Sequence, residues 1–257
     1  MPVAFFGHGS PMNALTRNRY TEVWQAMAAS FPRPKAILAV SAHWYTAGTA
    51  VTVNAHQKTI HDFYGFPQAL FDLQYPAPGD PQLAERVREL LAPLPVQADT
   101  SWGLDHGAWS VLLHAYPGAR IPVIQLSMDS TKPASFHYDV AGRLAPLRGE
   151  EVLVAGFGNV VHNLRLMKRN PDDPPHDWAV RFEQRVREAL LARDHDTLVH
   201  LERLGEDARL SVPTPEHYLP LLYTIGLQRE DEDASIAVDG IENGSLSMLS
   251  AVVGQFG

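Results

Sequence analysis

The 257-residue sequence contains no cysteine. That excludes disulfides, thiolate-held metals and thiol nucleophiles, and it fits a reducing compartment. No apolar run approaches the ~20 residues that a membrane-spanning helix needs. The N-terminus has no basic region, and the apolar run Val3 to Phe6 is too short for a signal peptide. The expectation is a soluble, cytoplasmic protein. Lys and Arg number 21 against 29 Asp and Glu, a formal charge of -8, and the basic residues are scattered, so nothing suggests nucleic-acid binding. There is no linker rich in Gly, Ser or Pro, no low-complexity tract and no internal repeat. A single domain over residues 1–257 is therefore expected.

What the chain does have is 45% apolar residues, ample for a core, and 12 histidines. Apolar stretches alternate with amphipathic ones. Val3 to Phe6, Ala36 to Ser41, Pro122 to Ser127 and Val152 to Ala155 read as strands covered on both faces. Shorter strands are expected at Val51 to Val53 and Val96 to Ala98, and a last one at Leu246 to Val253. Helices are expected over Tyr20 to Phe31, Pro81 to Leu91, Ala108 to Tyr116, His137 to Leu147, Trp178 to Ala192 and His195 to Leu204. Asp80 stands as an N-cap with Pro81 at the first helical position. The segment from Ile60 to Pro67 fits no regular element, and residues 229 to 235 read as a loop. This alternation predicts an α/β fold with a mostly parallel central sheet flanked by helices.

Three of the apolar strands run into a histidine: Val3 to Phe6 into Gly7-His8-Gly9, Ala36 to Ser41 into His43, and Val152 to Ala155 towards His162. In open α/β sheets the C-terminal strand ends are where ligands bind. Neutral imidazole is a common ligand for iron, zinc and copper, so a metal site at these strand ends is the working expectation. Each histidine also has an ordinary reading. His8 suits a turn histidine bonded to nearby backbone, and His43 a polar end to a buried strand. His162 sits in an apolar stretch where a buried imidazole needs partners. His217 stands in the doubly prolinated turn Pro213 to Pro220, which suits either a ligand loop or an exposed position. His106 follows Asp105, which could set its tautomer, and His61 precedes Asp62. His114, His137, His176, His195 and His200 have charged neighbours and read as surface. The His-Glu-x-x-His pattern, the nucleophile elbow, the P-loop and the dinucleotide fingerprint are all absent.

Six motifs in order carry a family resemblance: Gly7-His8-Gly9-Ser10-Pro11-Met12, Ser41-Ala42-His43-Trp44, Ile60-His61-Asp62-Phe63, Asp105-His106-Gly107, Gly158-Asn159-Val160-Val161-His162-Asn163-Leu164 and Pro213 to Pro220. With Gly244 to Met248 they resemble the DODA-type extradiol ring-opening dioxygenases, in the superfamily of the protocatechuate 4,5-dioxygenase catalytic subunit, over nearly the whole chain.

The resemblance implies a mononuclear non-haem metal site that cleaves a catechol (DOPA-like) ring with O2. It implies His8, His43 and His217 as metal ligands, with His162 as a fourth ligand or the acid/base. His106 is implied as a second active-site histidine, and His61 as a weaker substrate contact. The superfamily uses two histidines and one carboxylate, so Glu216 and Glu242 are the carboxylate alternatives to His217. Fe(II) is the expected cofactor; Zn(II) fits such a site but has no redox chemistry. A zinc hydrolase on the same scaffold, and a binding protein with an inert metal, are the alternatives. Aromatic residues at 44, 63, 64, 66, 102, 109 and 157 suggest a pocket for a flat ring, and Arg165 is a candidate for a substrate carboxylate. A homo-oligomer is compatible with the sequence.

Overall fold

The computed structural model describes residues 1–170 and 173–254. In chain order the elements begin β1 (Val3–Gly7), α1 (Arg19–Ser30), β2 (Ala36–Thr46), β3 (Thr49–Thr52), α2 (Gln68–Phe71), α3 (Pro81–Leu91) and β4 (Val96–Asp99). They continue with α4 (His106–Ala115), β5 (Val123–Asp129), α5 (Ala134–Arg143), α6 (Pro146–Gly149), β6 (Val152–Gly158) and α7 (Asp177–Leu191). The chain closes with α8 (His195–Val199), α9 (Glu206–Ser211), α10 (Leu219–Ile225), β7 (Ala234–Val238), β8 (Ile241–Glu242), β9 (Leu246–Ser247) and β10 (Ser250–Val253).

The main sheet has the strand order β4-β3-β5-β2-β6-β1-β10-β7. Its centre, β5-β2-β6-β1, is parallel throughout, and β10 and β7 extend one edge antiparallel. This is the expected α/β architecture. Side chains alternate between two cores. Val3, Phe5, Leu38, Val40, Val152 and Val154 enter one with α3, α5, α7 and α10. Ala4, Phe6, Ile37, Ala39, Leu153 and Ala155 enter the other with α1 and α4. A strand covered on both faces has no polar side to show, which is why these read as unbroken apolar runs.

One irregularity positions the site. Val40 of β2 pairs with Leu126 of β5, but the next pair is Tyr45 with Met128. β2 therefore spends five steps where β5 spends two. Ser41 to Trp44 bulge out of that ladder at the C-terminal edge, and His43 is aimed away from it. β2 then runs on to Thr46, beyond the end expected at Ser41.

Some boundaries depart from expectation. The closing strand is two strands, because Met248 N–H donates to Gly240 and the Ser247 hydroxyl takes the Leu249 N–H. β7 begins inside the expected loop; Ala234, Ile236 and Val238 turn inward and alternate with the exposed Ser235 and Ala237, as in an edge strand with one covered face. Pro146 starts α6 and splits the expected helix 137–147, which begins earlier, at Ala134. The helix expected over 195–204 is α8 followed by a 3-10 turn at Leu201–Leu204. His137, expected at the surface, is fully buried: Nε2 donates to the Asp129 carbonyl at 3.2 Å, so Nδ1 accepts from the Tyr223 hydroxyl at 3.1 Å. His114 is half-buried and bonds the Asn13 carbonyl.

Candidate metal centre

His8 leaves the end of β1 with its backbone held on both sides. Its N–H donates to the Gly158 carbonyl at 3.1 Å, and its carbonyl accepts from the Asn13 amide at 3.2 Å. Gly9 follows with φ of +58°, and a Cβ there would lie 2.3 Å from the Met248 sulfur, so glycine is required on both counts. The Gly9 carbonyl accepts from His8 Nδ1 at 3.0 Å. Since a carbonyl only accepts, Nδ1 carries the proton in the neutral ring and Nε2 presents a lone pair.

His43, on the bulge, has Nδ1 3.2 Å from Asp62 Oδ2. His217 closes the 3-10 turn Pro215–His217, and its carbonyl accepts from Asn159 N–H just past β6 at 2.8 Å. Its Nδ1 faces Glu216 Oε1 at 3.2 Å, and the Thr214 hydroxyl fixes that carboxylate at 2.8 Å. All three rings thus have an oxygen against Nδ1. All three Nε2 atoms are buried with no hydrogen-bond partner.

The three rings form a near-equilateral triangle: centroids are 5.2 Å apart for His8 and His43, 5.5 Å for His8 and His217, and 5.1 Å for His43 and His217. Their ligand-capable atoms lie within 4.8 Å of one another. Burial, reinforced by the neighbouring imidazoles, drives His8 and His217 well below the ordinary histidine range, so both are neutral lone-pair donors. Burial would lower His43 too, but the Asp62 contact and the nearby carboxylates raise it. Three buried nitrogens without partners, each turned inward by an oxygen behind its ring, are the donor set that a bound cation satisfies.

Two further histidines flank the triangle. His106 is the first residue of α4, which starts two residues before the expected Ala108, and its ring centroid is 3.9 Å from that of His43. Burial lowers it, with Asp62 opposing. His162 follows β6 and lies on His217; burial, then the His43 and His106 charges, pull it down to about 4. A cleft of about 250 Å³ opens beside it, lined by Asn163, Leu164, Arg165, Pro213, Thr214 and Glu216.

His61 stands apart from this group. Its Nε2 donates to the Leu73 carbonyl at 2.9 Å, and its ring meets Phe63, Phe71 and Trp109. Phe63, not His61, is the ring against His106, with centroids 5.5 Å apart. Most of the expected pocket aromatics are core instead: Phe157 stacks on Phe6, Trp44 on Trp102, and Trp109 is buried. Tyr64 is 92% exposed.

Asp105 does not set the tautomer of His106. Its carboxylate caps α4, accepting from Ala108 N–H, and takes the Ser41 hydroxyl and the Gln125 amide, each at 2.6 Å. Asp62 is the carboxylate beside His106. Sequence reasoning noted Asp62 without giving it a role, and its only signal was a His-Asp pair within an aromatic stretch. Glu242 lies in the β8–β9 hairpin with Arg19 as its charged neighbour, and belongs to no metal-capable group among the described residues.

The chain also resembles known proteins over nearly its whole length. Residues 7–254 match the family model described as the catalytic LigB subunit of aromatic ring-opening dioxygenase. The chain is 52% identical over 259 residues to an Escherichia coli (strain K12) protein named 4,5-DOPA dioxygenase extradiol, covering 99% of this chain and 95% of that one. A Beta vulgaris protein of the same name is 37% identical, covering 95% and 92%. The crystal structure of an uncharacterized E. coli K12 protein, JW3007, superposes with a TM-score of 0.87 at 47% identity, covering 99% of this chain and all of that one. These likenesses support ring opening and lend no support to the zinc hydrolase. The chain belongs to the LigB family of aromatic ring-opening dioxygenases, and it is an extradiol ring-cleaving enzyme.

Proposed function

We propose that the enzyme opens the ring of a DOPA-like catechol beside the diol, using O2 and Fe(II), with His8, His43 and His217 holding the metal. The observation that carries this reading is the triangle of three buried, unpartnered Nε2 atoms. The names of the relatives support the substrate class. Fe(II) supplies the redox chemistry that O2 requires and that Zn(II) lacks.

The chain's own residues then have separable tasks. His162 is neutral at pH 7, so its first act is to accept a proton, from a catechol hydroxyl, and its second is to return it. The ligand-capable atoms of His162, Glu216 and His217 also lie within 4.8 Å of one another, but Glu216 Oε1 is already engaged by the Thr214 hydroxyl and faces His217 Nδ1, which leaves His162 free of that carboxylate. That supports proton transfer over a fourth ligand position. His106, packed on His43, hydrogen-bonds the substrate or oxygen. Leu164 and Pro213 keep an apolar wall over the cleft, and the Arg165 guanidinium on its lining takes the substrate carboxylate. His61 ties down the loop that carries Phe63.

The test is to load the protein with Fe(II) under argon and offer DOPA, dopamine and 4-methylcatechol while following O2 uptake and a yellow ring-fission product. Uptake is expected with all three. The Arg165→Met variant is expected to raise KM for DOPA about 3- to 10-fold and leave the two carboxylate-free catechols unchanged. Iron-replete protein that consumes no O2 with any catechol would overturn the reading.

A further inference from the structure

Asp62 touches both histidines that meet at the centre of this site. Its Oδ2 lies 3.2 Å from His43 Nδ1. Its Oδ1 lies 3.0 Å from His106 Nδ1 and also accepts the His106 backbone N–H at 2.9 Å. Both ring contacts are ion-pair contacts without linear hydrogen-bond geometry, so the backbone bond is the firmest of the three. The side chain is only 18% exposed and sits on the segment from Ile60 to Pro67, outside any helix or strand.

We propose that Asp62 is a positioning residue that fixes the tautomer of His43 and the orientation of His106 at once, and so joins metal binding to the second active-site histidine. A carboxylate only accepts. Facing Oδ2, His43 keeps its proton on Nδ1, and its buried Nε2 is left as a lone pair directed into the triangle. Facing Oδ1, His106 is held through its backbone at the first position of α4, where it packs on His43. The inference rests on His43 being a metal ligand.

Asp62→Asn separates the two functions, because the backbone bond decides which way the amide lies. The His106 N–H needs an acceptor, so the amide oxygen takes the Oδ1 place and the NH2 takes the Oδ2 place. An NH2 group facing His43 Nδ1 needs an acceptor there, which moves the ring proton to Nε2 and blocks coordination. His106 keeps its anchor. The isosteric change is thus expected to act on His43 through one proton.

Two measurements test this. In the metal-free protein, long-range 1H–15N spectra are expected to report the Nδ1–H tautomer of His43 in the wild type and the Nε2–H tautomer in Asp62→Asn. Titration with Co(II), followed by its visible absorption, is expected to show affinity weakened 10- to 100-fold in Asp62→Asn. His43→Ala is expected to weaken it at least as much, and adding Asp62→Asn to His43→Ala to weaken it little further. An Nε2–H tautomer for His43 in the wild type overturns the proposal without any variant. Unchanged Co(II) affinity in Asp62→Asn, with His43→Ala impaired, overturns it while leaving the metal assignment standing. Unchanged affinity in His43→Ala and His8→Ala overturns both.

Discussion

The imidazole of His162 lies flat on that of His217, with ring centroids 3.4 Å apart and planes 5° from parallel. One face of a proposed metal ligand is therefore covered by the ring proposed to move the proton. Stacking and proton transfer can be separated by substitution.

His162→Phe keeps an aromatic face against His217 and removes both ring nitrogens. Iron content is expected to stay at the wild-type level while kcat falls about 10²- to 10⁴-fold, the usual contribution of a positioned acid/base. Single-turnover measurements with DOPA on iron-replete protein provide the check. Wild-type kcat in this variant would remove His162 from the reaction.

Gly158 is where the backbones of the ligand segments converge. Its carbonyl accepts the His8 N–H, and a Cβ at this position would lie 2.2 Å from the His217 carbonyl oxygen and 3.1 Å from Pro220. Gly158→Ala is expected to cost about 1–3 kcal/mol of stability, as overpacking does, and to weaken metal binding by displacing two ligands together. Gly149→Ala is the control, since nothing lies within 4 Å of its Cβ position. Urea unfolding and metal titration of both variants decide the matter, and equal behaviour would contradict the packing argument.

His137 gives the fold an acid-sensitive point away from the metal centre. Burial pulls its imidazole down to about 4, from an ordinary value of 6.5. Between those values the unfolded chain binds the proton and the folded protein does not. Stability therefore rises with pH across this window and is lost on acidification from pH 6.5 towards 4, by about 3 kcal/mol in all. His137→Gln can still donate to the Asp129 carbonyl and accept from the Tyr223 hydroxyl, but it does not titrate. The difference in unfolding free energy between pH 7 and pH 4.5 is expected to shrink by about 2–3 kcal/mol in this variant. An unchanged acid loss would mean that other groups carry it.

The parallel core was legible because a strand buried on both faces leaves an unbroken apolar run, and His8 and His43 were legible as histidines at the ends of such runs. The bulge that redirects His43 was not, since Ser41 to Trp44 differ from ordinary strand residues only in how they pair with β5. His217 lies in a proline-fixed turn whose place beside β6 depends on the Asn159 hydrogen bond, a long-range contact with no local signature. Asp62 escaped because it sits in an aperiodic segment, where neither helical nor strand spacing announces a direction. The nearer acid in sequence, Asp105, is occupied by Ser41, Gln125 and the α4 cap. His137 misled because charged neighbours on α5 suggested an outward face, whereas its own side chain turns in to Tyr223.

The central claim is that one metal ion is held by His8, His43 and His217. The most direct measurement is the iron content per chain after anaerobic loading and desalting, for the wild type and for His8→Ala, His43→Ala and His217→Ala, each shown to be folded. The account predicts about one ion per wild-type chain and a large loss in every variant, because each removes one of three donors. A full equivalent of iron retained by any one of the three would contradict it.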